Sequence, residues 1–89
     1  MIKRTVRIIN KLGLHARPAA MLVTVASRYE SEVFLTKDDL RVNGKSIMGV
    51  MMLAAEKGTE LTIEIDGSDE KSAMDEIIRA IESGFGESD

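Results

Sequence analysis

The only histidine of the chain, His15, lies in Gly13-Leu14-His15-Ala16-Arg17-Pro18-Ala19-Ala20. Proline is tolerated in the first turn of a helix but not deeper, so Pro18 sets a helix start near Ala16 and puts His15 at about the N-cap. Free backbone N–H groups of the first turn then face the imidazole. The positive helix end disfavours imidazolium, so the ring tends to be neutral near pH 7 with a nitrogen lone pair. An anion carried on that ring would meet N–H donors and the Arg17 guanidinium. A neutral nucleophile beside an anion site suits temporary attachment of a phosphoryl group. Plainer roles fit the same residues. A lone histidine is more often a surface or packing residue. It cannot form a triad without a serine and an acid placed in space. It is a poor metal site without a carboxylate at helical spacing. Arg17 can be simply solvated, and Pro18 simply a helix starter.

Ser46 is the second residue of interest. It precedes Ile47-Met48-Gly49-Val50-Met51-Met52-Leu53, in which Ile47, Val50, Met51 and Ala54 fit one helical face. As the N-cap of that helix it contributes about 1 kcal/mol, while Gly49 weakens the helix from within. Methionine is by default a packing residue. Met48, Met51 and Met52 cannot all face inward on one short helix, because neighbours along the chain point apart, so at least one is exposed.

The remaining elements must position these residues. Ile2–Ile9 reads as a strand with Ile2, Val6 and Ile8 on one parity. Asn10–Leu14 is a loop with Gly13 as its flexible point. Ala19, Leu22, Val23 and Ala26 form the buried stripe of a helix running from near Ala16 to near Tyr29. Glu32–Thr36 is a second strand, Lys37-Asp38-Asp39 a turn and Leu40–Val42 a short third strand. Glu60–Asp66 alternates cleanly, with Leu61, Ile63 and Ile65 on one side, which argues for antiparallel pairing and one face not covered by helices. Ser68-Asp69-Glu70 supplies a cap and an acidic first turn. Ala73, Met74, Ile77, Ile78 and Ile81 stripe a last helix that Gly84 ends. The order βαββαβα, with four short strands, predicts a two-layer α+β domain.

The chain has 89 residues, enough for one domain spanning 1–89. It has no cysteine, which removes disulfides and Cys-based metal sites and favours a reducing compartment. Its longest uncharged stretches, Pro18–Ser27 and Ser46–Ala55, are ten residues each, against the ~18 or more of a membrane helix. The N-terminus lacks the apolar run of a signal peptide. We therefore expect a soluble, cytoplasmic protein with no membrane insertion. Aromatic residues make up 3 %, too few for base-stacking platforms, so nucleic acid is not an expected partner. The net charge of −3 hides a division. The first 29 residues carry six basic side chains and no acid, whereas the remaining 60 carry six basic and fifteen acidic ones. This predicts a basic, methionine-bearing face on an acidic body.

The segment Gly13-Leu14-His15-Ala16-Arg17-Pro18-Ala19 resembles the phosphorylated-histidine signature of the HPr family. These are the histidine-containing phosphocarrier proteins of the bacterial phosphoenolpyruvate-dependent phosphotransferase system. Lys45-Ser46-Ile47-Met48-Gly49-Val50-Met51 resembles the family's regulatory-serine signature. The resemblance covers nearly the whole chain. It implies an HPr-like open-faced β-sandwich, a four-stranded antiparallel sheet covered on one face by three helices. It implies that His15, through Nδ1, accepts a phosphoryl group from phospho-enzyme I and passes it to EIIA-type domains, in sugar uptake or a related regulatory phosphorelay. Arg17 would neutralise phosphate charge, and the backbone N–H groups of Ala16 and Arg17 would hold phosphate oxygens. Ser46 would be a target of HPr kinase/phosphorylase, a modification adding about −1.5 to −2 charges. Ala20, Met21 and Thr24 of the first helix, with Ile47, Met48 and Met51 of the second, would form the docking face. The resemblance describes a carrier rather than an independent enzyme. Metal, cofactor and a second subunit are not expected, so the chain reads as a monomer. The alternative is a regulatory interaction module controlled at Ser46. Asn10-Lys11-Leu12-Gly13 and Ser83-Gly84-Phe85-Gly86-Glu87 look more like the nitrogen-related (NPr) branch.

Overall fold

The computed structural model describes residues 1–87. Alternation in Glu60–Asp66 becomes strand β4, whose Leu61, Ile63 and Ile65 are fully buried while Thr62 and Glu64 stay half-buried on the opposite face. β4 is central. It pairs antiparallel with β1 (Ile2–Arg7) on one side and β2 (Glu32–Lys37) on the other, and β2 pairs antiparallel with β3 (Leu40–Asn43). The sheet order is therefore β1-β4-β2-β3. Val6, Val33, Leu35 and Val42 complete its inner face.

Helices α1 (Ala16–Ser27) and α3 (Glu70–Glu82) bury the stripes that periodicity assigned to them. Ala19, Leu22 and Ala26 of α1, with Ala73, Met74, Ile77 and Ile81 of α3, are buried. Val23 and Ile78 pack at the margin of the core. Both β1 and α1 are shorter than expected. Ile8 still exchanges hydrogen bonds with the Gly58-Thr59 turn, but Ile9 is exposed and pairs with no strand. At the end of α1 the N–H groups of Arg28 and Tyr29 reach carbonyls three residues back, Val25 and Ala26, which closes the helix tightly.

Helix α2 (Ile47–Met52) forms where expected, behind its Ser46 cap. Only Val50 is buried within it, joined by Leu53 just beyond. Ile47 and Met51, which share one helical face with Val50 by spacing and are expected on the docking face, are exposed, as is Ala54. The helix lies with its backbone against the end of β3, where a Cβ added at Gly49 would sit 3.3 Å from the Asn43 carbonyl. Gly49 thus serves close approach of backbone to backbone. Ala54 then leaves the helical path at φ 48°.

The acidic start of α3 is also used differently. Asp69 occupies the N-cap position, but its carboxylate makes no bond to its own helix. It accepts instead from the N–H groups of Glu30 (2.9 Å) and Ser31 (3.0 Å) and from the Ser31 hydroxyl, tying α3 to the loop before β2. The Ser31 hydroxyl and these N–H groups hold the Asp69 carboxyl below the usual aspartate range. A depressed folded-state pKa contributes stability above the unfolded value, and that contribution is lost as pH falls through the folded one. The thermal midpoint should accordingly drop below about pH 4, with a shallower drop in Asp69→Asn. Parallel acid limbs for the two proteins would contradict the assignment.

Past α3 the chain makes a 3₁₀ turn, Gly84–Gly86, with three successive left-handed residues: Gly84 (φ 66°), Phe85 (φ 58°) and Gly86 (φ 72°). Gly84 ends the helix as expected. Phe85 is 1 % exposed and heads the fully buried side chains by size, a core residue that periodicity does not predict.

Candidate functional site

His15 is the N-cap of α1 and sits in extended backbone (φ −78°, ψ −174°), its carbonyl accepting from Ala19 N–H at 3.0 Å. Its side chain makes no capping bond, so the imidazole is not spent on its own helix. Pro18 has no N–H, and the first turn therefore offers the N–H groups of Ala16 and Arg17. Ala16 and Arg17 are exposed, and Arg17 forms no ion pair among the described residues.

The loop leading into this helix is pinned from both sides. Leu14 N–H donates to the Ala55 carbonyl at 2.8 Å. Gly13 holds φ 68°, and a Cβ there would lie 2.2 Å from the Ala55 oxygen, so only glycine fits. Asn10 is buried (2 % exposed), and its Nδ2 donates to the Gly13 carbonyl at 2.8 Å and to Glu87 Oε1 at 2.9 Å. The other Glu87 oxygen, Oε2, lies 2.8 Å from His15 Nε2. One carboxylate thus bridges the loop and the imidazole.

Ser46 caps α2 as expected, its Oγ accepting from Gly49 N–H at 3.1 Å. Ser46→Ala should cost about 1 kcal/mol in denaturant-induced unfolding. A loss under about 0.3 kcal/mol would show that the cap carries little.

The docking residues separate into two groups. Ala20, Met21 and Thr24 line a groove of about 320 Å³ along α1, with Arg17 and Arg28 at its ends. Ile47, Met48 and Met51 do not line that groove. They stand exposed on α2, which packs against α1. Met48 is 76 % exposed, and Met51 and Met52 are exposed beside it, as expected for methionines that cannot all face inward on one short helix.

Only part of the basic front end lies on this face, with Arg17 and Arg28 lining the groove. Arg7 pairs with Glu60 across the β1–β4 register, and Lys3 faces Glu64. Arg28 pairs with Glu76, which also accepts from the Tyr29 hydroxyl. Strand pairing places Lys3 and Arg7 opposite later acidic residues, while Arg17 lies in the first turn of α1, two residues from His15.

A family model described as "PTS HPr component phosphorylation site" matches residues 2–83. The chain belongs to the HPr family. It is 55 % identical over 87 residues to the phosphocarrier protein HPr of Neisseria meningitidis serogroup A, covering 98 % of each chain. The HPr structure of Thermoanaerobacter tengcongensis superposes with a TM-score of 0.95 at 44 % identity, covering 99 % of each chain. Crh of Bacillus subtilis, a catabolite-repression relative described as a domain-swapped dimer, is also similar, with a TM-score of 0.76 at 44 % identity over 93 % of this chain and 95 % of that one. HPr proteins are phosphocarriers of the phosphotransferase system, and the open-faced sheet with helices on one side is their fold.

Within this HPr fold, the candidate residues singled out in the sequence were His15, Ala16, Arg17 and Ser46, whereas Asn10 and Glu87, which the structure brings to His15 and its loop, were not among them. The tail did carry a signal. An aromatic residue between two glycines, Gly84-Phe85-Gly86, suits a buried side chain in left-handed backbone.

Proposed function

We propose that His15 is the phosphoryl acceptor of this HPr-family carrier. The observation that supports it is the imidazole at the N-cap of α1 that leaves its own helix uncapped. In this reading Nδ1 attacks the phosphorus of phospho-enzyme I. The new N–P bond forms as the donor's P–N bond breaks. Backbone N–H groups of Ala16 and Arg17 receive the phosphate oxygens, and the Arg17 guanidinium offsets their charge. Phosphoryl transfer needs positioning and charge stabilisation more than covalent help, so a small carrier serves while each partner completes the site. An EIIA-type domain then takes the group from His15. The chain acts as a monomeric carrier in the cytoplasm, not as an independent catalyst. The domain spans 1–89, and residues 88–89 of that assignment lie outside the described ones.

The docking face in this reading is the α1 groove with Met21 and Thr24, extended by Ile47, Met48 and Met51 of α2. Exposed, flexible methionines suit surfaces that meet several partners. A second mode of control acts at Ser46. Its half-exposed hydroxyl at the start of α2, together with the likeness to Crh, favours phosphorylation by an HPr kinase/phosphorylase. Phosphate there would add charge beside the docking face without unfolding a helix whose N-terminus tolerates anions. Labelling of Ser46 by such a kinase and ATP is the expected result, and no label would remove this mode.

Incubation with phosphoenolpyruvate and enzyme I should give an acid-labile, alkali-stable phosphoprotein. Arg17→Ala should slow its formation on the order of 10²-fold, the scale of losing one charge-stabilising group. Its stability should change by less than about 0.5 kcal/mol, because Arg17 is exposed. Rapid-quench rates equal to those of the parent chain would remove Arg17 from the mechanism.

A further inference from the structure

The carboxylate of Glu87 reaches His15 from the far end of the chain, and four features of the structure place it there. The turn before it passes through three left-handed residues, of which Phe85 is not glycine, a conformation that is strained for an L-residue. Burial of the Phe85 ring anchors that turn. Gly84 packs on Ile9 and Asn10, where an added Cβ would lie 3.7 Å from the Asn10 Cβ. Asn10 then spends both amide hydrogens on acceptors, Gly13 O and Glu87 Oε1. A carbonyl and a carboxylate only accept, which fixes the orientation of the amide. Its Oδ1 is left buried without a partner among the described residues. An orphaned buried acceptor is a cost that the fold tolerates at this one side chain, the one that holds Glu87.

We propose that Glu87 is a positioning residue for phosphoryl transfer. Its Oε2 accepts a hydrogen bond from His15 Nε2–H and so reserves Nδ1 as the nucleophile. The inference rests on His15 being the acceptor. An ionised carboxylate offers no proton, so a neutral ring at 2.8 Å from Oε2 must carry its proton on Nε2. The lone pair is then on Nδ1. When Nδ1 takes the phosphoryl group, the N–P bond forms from that lone pair and the ring gains a positive charge, with Nε2 still protonated. The adjacent carboxylate stabilises that charge. When the group leaves, the N–P electron pair returns to Nδ1 and neutral imidazole departs. No proton moves in either direction. The carboxylate also fixes the ring's orientation, as the hydrogen-bonded partners of functional histidines commonly do.

The test compares the whole chain with Glu87→Ala by ¹⁵N spectroscopy of the imidazole at a pH where the ring is neutral. The expected parent spectrum is a single Nε2–H tautomer. Glu87→Ala should show a measurable Nδ1–H population and a transfer rate from phospho-enzyme I lower by about tenfold, the low end for losing such a partner. Phe85 packing is untouched by this change, and the thermal midpoint checks that the fold is intact. A change of stability alone would not move the tautomer. An unchanged tautomer or an unchanged rate in Glu87→Ala overturns the proposal. The tautomer is read without any phosphorylation, so a failure of His15 as acceptor would show separately, as label persisting in His15→Ala.

Discussion

His15→Ala is expected to abolish the acid-labile phosphoryl label entirely while leaving a folded protein. The chain has no other histidine, so no second imidazole can substitute. The effect is all or none because the ring forms the bond itself, whereas Arg17 only stabilises charge around it. The structural cost is small. The imidazole is part-exposed and, among the described residues, makes one side-chain hydrogen bond, to Glu87, worth about 0.5–1.5 kcal/mol. Glu87 keeps its bond from Asn10 in the variant. Incubation with phosphoenolpyruvate and enzyme I, followed by intact-mass measurement under alkaline conditions, reads the label directly. Persistence of the phosphoryl mass in the variant would remove His15 from the account.

Phe85→Ala is expected to carry the largest loss of stability, about 3–5 kcal/mol. The side chain is fully buried at the core's edge, where the last turn closes against Ile9 and Asn10. Alanine keeps a Cβ, so the left-handed strain at φ 58° stays and the loss reports the ring alone. For a domain of this size that corresponds to a fall of more than about 12 °C in thermal midpoint. A fall of only a few degrees would show that the C-terminal turn rests loosely on the core. The same turn delivers Glu87 to His15, so this stability change also measures how firmly the site is held from behind.

The sequence made the local parts of this molecule legible. Glu60–Asp66 alternates with period two, and its inner side chains are buried where that period puts them. Ala73, Met74, Ile77 and Ile81 recur at helical spacing and face the core. Pro18 and Ser46 mark helix starts by mechanisms that act within one turn. What escaped is long-range. Asn10 and Glu87 are 77 residues apart. Asp69 and Ser31 are 38 apart. In both pairs the carboxylate looks like an ordinary surface acid until the chain is folded. The charge division misled for the same reason: strand register sets Arg7 against Glu60 and Lys3 opposite Glu64, and so draws these two basic residues away from the α1 groove to the open face of the sheet. Helix α2 is a different case. At six residues it has too little length for periodicity to decide which side faces the core, and of the apolar face read from its spacing only Val50 is buried.

Carriage of the phosphoryl group by this chain comes down to one bond, between phosphorus and His15 Nδ1. The direct measurement is ³¹P and ¹⁵N spectroscopy of ¹⁵N-labelled protein after phosphorylation by phosphoenolpyruvate and enzyme I. The predicted result is a single phosphoryl group coupled to the Nδ1 of His15, with Nε2 still bearing its proton. A phosphoryl group on Nε2, on Ser46 or on any other residue under these conditions would contradict it.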